Sequence, residues 1–165
     1  MGQVVSRSEL IGIRGDARRG GKTVVFTNGC YDLIHPGHID LLEKAAALGD
    51  LLVVGLNTDR SVTALKGPGR PVTPQGDRAR VLAALRMVDY VCLFDEDTPA
   101  ELIAGLVPDV LVKGGDYGLD EIVGRETVEE AGGKVVVVPL TGGYSTTDLI
   151  ESIAGRHPEA EQDED

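Results

Sequence analysis

Two of the chain's three histidines lie in one tetrapeptide, His35-Pro36-Gly37-His38, which follows an apolar run and an Asn28-Gly29 turn. A hydrophobic strand, a glycine turn and a proline opening a helix form a layout for holding phosphate. Backbone N–H groups and the positive end of the helix dipole converge there on one point. Imidazoles at that point can donate hydrogen bonds or positive charge to a phosphoryl group whose charge shifts in a transition state. Two other readings fit the same residues. The histidines could simply cap or pack, or they could share a metal with Asp32 or Asp40 as a third ligand, although the usual helical zinc spacing is four.

Residues of this kind need a frame, and the chain supplies one. Short Val/Leu-rich runs at 23–27, 50–56, 90–94, 110–113 and 134–139 are continuously apolar rather than alternating, which is how strands buried on both faces read. Between them, 39–48, 77–87 and 98–106 have helical patterns: Ile39, Leu42, Ala45 and Ala46 in the first, Val81, Leu82 and Leu85 in the second, and a Thr98 cap followed by Pro99 in the third. Alternating strands and helices imply a parallel sheet covered on both faces. The expected fold is a single α/β, Rossmann-like, doubly wound domain with a five-stranded parallel sheet, preceded by a leading helical segment in 1–21. Ligands in such sheets bind beyond the carboxyl ends of the strands. The segments to watch are therefore 28–38, Asn57-Thr58-Asp59, 113–117 and 141–147.

Composition narrows the ligand. A length of 165 residues suits one domain, and a net charge of −11 with 4% aromatics and no Trp argues against nucleic acid, which needs a cationic footprint and stacking platforms. An anionic ligand would need a local cluster of Lys and Arg. Two cysteines, Cys30 and Cys92, cannot make a structural zinc site alone and fit a reducing compartment. With no signal peptide or membrane span evident, a cytoplasmic protein is expected. Residues 155–165 are strongly acidic and read as a solvating, disordered tail.

The run from Thr27 to His38 resembles the signature of the H-x-G-H nucleotidyltransferases, the cytidylyltransferase-like superfamily. Further blocks, Lys66-Gly67-Pro68-Gly69-Arg70-Pro71, Asp77-Arg78, 88–91, Lys113-Gly114-Gly115-Asp116-Tyr117 and Tyr144-Ser145-Thr146-Thr147, are similar to those of the bacterial D-glycero-β-D-manno-heptose 1-phosphate adenylyltransferase branch. The resemblance covers about residues 8–154 and implies a nucleotidyltransferase domain spanning 1–154. It implies that Asn28, Gly29, Cys30 and Tyr31 cradle the phosphates of ATP and that His35 and His38 contact them. Lys66 and Arg70 would take charge on the leaving pyrophosphate, and Lys113, Gly114 and Asp116 would meet the base and sugar. Tyr144, Ser145, Thr146 and Thr147 would bind the nucleotide at the start of the last helix, whose N–H groups are free for a phosphate, with Ser145 also a natural helix cap.

One departure bears on substrate. The cytidylyltransferases carry an arginine where this chain has Leu140, which turns the expectation toward adenylyl transfer: ATP and a sugar 1-phosphate give ADP-heptose and pyrophosphate by direct in-line attack. Synthesis of GDP-heptose, a CDP-alcohol or FAD is the alternative within the superfamily, and a non-catalytic nucleotide-binding module is the alternative outside it. Mg²⁺ is expected with ATP, mostly held by phosphates and water, with Asp32 as a minor candidate for an indirect contact. A homodimer and a separate sugar kinase upstream complete the expectations.

Overall fold

The computed structural model describes residues 1–115, 118–139 and 142–156. Its elements run β1 (Gln3–Val4), α1 (Arg7–Arg19), β2 (Val24–Gly29), α2 (Pro36–Ala46), β3 (Leu51–Asn57), α3 (Asp59–Lys66), α4 (Gln75–Ala84), β4 (Tyr90–Phe94), α5 (Ala100–Leu106), β5 (Val110–Gly114), a 3₁₀ turn (Leu119–Glu121), α6 (Arg125–Glu130), β6 (Lys134–Val138) and α7 (Thr146–Arg156). Every strand pairing is parallel. The sheet order is β1-β4-β3-β2-β5-β6, so the order reverses beside β2, and the crevice falls between the ends of β2 and β5.

Among the described residues the sheet has six strands, not the expected five. The addition, β1, is two exposed residues, too short to carry a period. It is held by Gly2 N–H to Ala83 O, Gln3 N–H to Asp89 O and Val5 N–H to Val91 O, each 2.9 Å. Two further helices escaped the sequence pattern because they bury so little: only Ser61 and Val62 in α3 and Val128 in α6. In α4 the inward face is Arg78, Ala79, Leu82 and Ala83, so Val81, expected in the core, is exposed. The helix α7 continues through Arg156, two residues past the expected domain end. The rest of the acidic tail lies outside the described residues, as do Asp116, Tyr117 and Leu140.

Continuous apolar strands follow from two covered faces. Successive residues of β2 enter opposite cores: Val25 packs with Leu41, Leu42 and Ala45 of α2 and Leu82 of α4. Val24 and Phe26 pack with Leu10 of α1 and Leu102, Ile103 and Leu106 of α5. At the amino ends of the strands, carboxylates take the first N–H groups. Asp109 accepts from Val24 N–H at 2.8 Å and is gripped by Arg14 through bonds of 2.9 and 2.7 Å. Asp89 accepts from Leu52 N–H at 2.8 Å. That end is closed by structure, leaving the carboxyl end for ligands. No helix among the described residues is long and apolar enough to cross a membrane.

Candidate active site

β2 delivers the chain to the crevice at Gly29, and the next residues turn sharply. Tyr31 adopts φ +44, a left-handed conformation unusual for a side chain of its size. Its buried ring folds back over Gly29 so closely that a Cβ there would lie 2.9 Å from the ring. Burial raises the Tyr31 phenol above its ordinary range. It also raises the Cys30 thiol, despite nearby Lys66, Arg78 and Arg70, so Cys30 stays protonated and is no thiolate nucleophile.

His35 then caps α2. Its extended backbone precedes Pro36 at the first helical turn, and its Nδ1 accepts from the His38 N–H at 3.3 Å. An accepting Nδ1 leaves Nε2 as the N–H of the neutral ring. The capping reading of His35 therefore holds and coexists with a donor directed elsewhere. The rings of His35 and His38 stack with centroids 3.6 Å apart and planes at 17°, and Tyr31 tilts against His38 at 5.0 Å. Burial, and then the neighbouring His35, push His38 down to about 4; burial also lowers His35. Before a ligand arrives, both imidazoles are neutral hydrogen-bonding groups near pH 7 rather than cations. Gly37 permits the stack, because a Cβ at that position would sit 3.2 Å from His35 ring atoms and 3.4 Å from Tyr144 Cβ.

A second helix start meets the first. Ser145 Oγ accepts from Asp148 N–H at 3.4 Å, as a cap does. Thr146 Oγ1 donates to Leu33 O at 3.3 Å, tying the start of α7 to the loop before His35. The Tyr144 ring lies nearly parallel to that of His35, with centroids 6.1 Å apart. Two helix amino termini thus face one space.

The positive charge comes from the loops. Lys66 ends α3, and the following loop is hung on Asp32. That buried carboxylate accepts from Arg70 Nε at 2.7 Å and from the backbone N–H groups of Val72 and Thr73 at 2.9 Å. Burial alone would raise its pKa, but these donors outweigh it and hold the carboxylate below its ordinary range. Both oxygens of Asp32 accept from protein donors, which ties the loop carrying Arg70 to the cradle. Among the described residues no group of three or more His, Cys, Asp or Glu is placed to hold a metal. Arg70 is consequently aimed by its Nε bond, with its terminal nitrogens left for other partners. Lys113, at the end of β5, has its pKa lowered by burial.

Most of these side chains line one cleft of about 670 Å³, a size suited to a nucleotide-scale ligand. The cleft gathers Asn28, Gly29, Cys30, Tyr31, His35, His38, Lys66, Arg70, Lys113, Gly114 and 144–147; Asp116 lies outside the described residues. Lys66, Arg70 and Lys113 thus meet in a chain of net charge −11, alongside the carboxylates Asp32, Asp97 and Glu121, so positive charge is available to an anionic ligand at particular side chains rather than as a net charge of the cleft. The sequence reading missed Asp97, Thr98, Pro99, Glu121 and Val123, which also line it. Asp97 to Pro99 follow β4, the strand end left out of the search, so the carboxyl-end rule applied to every strand would have found them. It also left Arg78 without a role, although that side chain is fully buried and bonded to three backbone carbonyls around the cleft.

Comparison with known proteins agrees with the geometry. The cytidylyltransferase-like family model matches residues 26–152. A protein of Gluconobacter oxydans (strain 621H) named bifunctional protein HldE is 61% identical over 135 residues, 82% of this chain and 28% of that protein. Its namesake in Syntrophotalea carbinolica is 58% identical over 140 residues, 85% of this chain and 29% of that protein. The chain thus spans under a third of the length of these curated relatives. The crystal structure of a lipopolysaccharide core biosynthesis protein from Thermoplasma volcanium GSS1 superposes with TM-score 0.60 and 28% identity, covering 76% of this chain and all of that one. Pantoate-beta-alanine ligase from Francisella tularensis shares the fold alone, at TM-score 0.63 and 13% identity over 92% of this chain and 77% of that one. By the extent of the family match and by these relatives, the chain belongs to the cytidylyltransferase-like family of nucleotidyltransferases.

Proposed function

We propose that the chain transfers the adenylyl group of ATP to D-glycero-β-D-manno-heptose 1-phosphate, releasing pyrophosphate. The observation that carries adenylyl transfer is the convergence of two helix starts, the stacked His35 and His38 pair and the cations Lys66, Arg70 and Lys113 on one cleft. The heptose acceptor rests on the Lys66–Pro71 and Lys113–Tyr117 blocks and on the relatives' identity. The transfer is direct. An oxygen of the sugar phosphate forms the new bond to the α-phosphorus while the bond to the β-phosphate oxygen breaks, and both electrons of that bond leave with pyrophosphate.

A phosphate nucleophile is ionised near neutral pH, so no general base is required, and the protein contributes position and charge stabilisation. The neutral His35 ring offers Nε2–H, and His38 stands beside it at the start of α2. Lys66 and the terminal nitrogens of Arg70 take the charge that builds on the leaving group. ATP enters as its Mg²⁺ complex, a co-substrate with its metal on phosphates and water; no residue of this chain is assigned to the ion. Removing one donor of this kind costs on the order of 10²–10³ in rate. The His38→Ala variant should therefore bind MgATP nearly normally yet release pyrophosphate about a hundredfold more slowly; unchanged turnover would remove His38 from the reaction. A panel of ATP, CTP and GTP crossed with heptose 1-phosphate, alcohol phosphates and FMN separates this reaction from the GDP-heptose, CDP-alcohol and FAD alternatives.

A further inference from the structure

We propose that Arg78 is a positioning residue for nucleotidyl transfer, setting the backbone of the phosphate cradle and the loop that carries Arg70. The proposal rests on the adenylyl-transfer reading of the same cleft. The Arg78 side chain is 0% exposed and its donors are directed at four residues on three stretches of chain. Nε donates to Thr73 O at 2.8 Å, one terminal nitrogen to Cys30 O at 2.7 Å and Asn57 O at 2.9 Å, and the other to Asp59 Oδ1 at 2.7 Å. Cys30 follows β2, Asn57 ends β3, Asp59 opens α3, and Thr73 belongs to the loop between α3 and α4. Each of these segments borders the cleft or carries a residue that does.

A buried guanidinium is an expensive way to fill a core, since apolar residues of similar volume generally serve stability as well or better. What it provides here is direction. A trans peptide holds C=O and N–H antiparallel, so fixing the Cys30 carbonyl also fixes the Tyr31 N–H, at the residue with φ +44 in the cradle. The bond to Thr73 O acts on the other side. Thr73 N–H is bonded to Asp32, and Asp32 aims Arg70. One side chain therefore spans the cradle and the cationic loop, and Gln75 supports it by accepting from Asp59 N–H at 2.8 Å.

The test compares Arg78→Lys with Arg14→Lys. Arg14 is also a buried arginine, bonded to Val107 O and Asp109 at the opposite end of the sheet. For both variants, melting temperature is measured first. The Kd for MgATP and the kcat and KM for transfer are then measured well below both transitions. The expected result is that Arg78→Lys weakens MgATP binding about tenfold and lowers kcat about thirtyfold, within the range for misplaced groups. Arg14→Lys should lose stability while keeping kcat and Kd within about twofold. Kinetics for Arg78→Lys within about threefold of the parent, or an equal loss in Arg14→Lys, would overturn the proposal. Should Arg78→Lys fail to fold, Asp59→Asn loosens the same guanidinium from a half-exposed site and is expected to lower kcat about fivefold; unchanged kinetics there also overturns it. If the parent protein makes no product from heptose 1-phosphate, the acceptor reading fails, while the Kd for MgATP still decides on Arg78.

Discussion

Replacing Gly37 by alanine isolates the placement of the histidine pair, because it removes no donor and changes no charge. The new Cβ would stand 3.2 Å from Cε1 and Nδ1 of His35 and 3.4 Å from Tyr144 Cβ, closer to the ring than ordinary van der Waals contact. The ring must yield by a few tenths of an ångström, and it has little room. One face is stacked on His38 at 3.6 Å, and Nδ1 is engaged by the His38 N–H. Loss of that cap costs about 1 kcal/mol, which lowers the melting temperature of a chain this long by about 2–4 °C. Misplacement by 1 Å can cost ~10² in rate, so a few tenths should cost on the order of tenfold in kcat. The assay is continuous detection of pyrophosphate at saturating MgATP and acceptor, alongside a thermal melt. A normal kcat with the lowered melting temperature would refute the claim that ring position sets the rate.

The remaining predictions concern charge. Asp32→Asn leaves Arg70 without its buried partner, a loss of about 3 kcal/mol, at the low end for buried pairs because Arg70 keeps some solvent. The corresponding drop in melting temperature is roughly 6–12 °C, and a drop under about 2 °C would mean that the carboxylate does not hold the loop. His38 lies at about 4 when folded, against an ordinary value of 6.5. Between those values the unfolded chain binds more protons, so stability falls as pH drops from 6.5 toward about 4. His38→Gln should flatten the melting curve against pH in that window; parallel curves for the two proteins would contradict the shift.

The site was legible where chemistry and backbone demand coincide. Histidine, proline and glycine in four positions specify a helix start that carries imidazoles, and the structure places them so. The five longer strands were legible because two covered faces force a continuous apolar run. β1 was not, since two exposed residues joined by backbone bonds leave no pattern in side-chain type. α3 and α6 bury too little to mark a period. Arg78 was hidden for a different reason. Arginine on a helix ordinarily reads as a solvated residue, and only the positions of the Cys30 and Asn57 carbonyls, distant in sequence, and of the nearby Thr73 carbonyl show why this one faces inward. Likewise the role of Asp32 in holding the Arg70 loop was hidden, because its partners lie about forty residues away in sequence.

The most direct test of adenylyl transfer to heptose phosphate is to incubate the chain with MgATP and D-glycero-β-D-manno-heptose 1-phosphate and follow both products by phosphorus NMR. ADP-heptose and pyrophosphate should form in equal amounts, and neither should form when the acceptor is omitted. Pyrophosphate formed only with another nucleotide or another phosphate acceptor, or no product from any pair, would contradict the account.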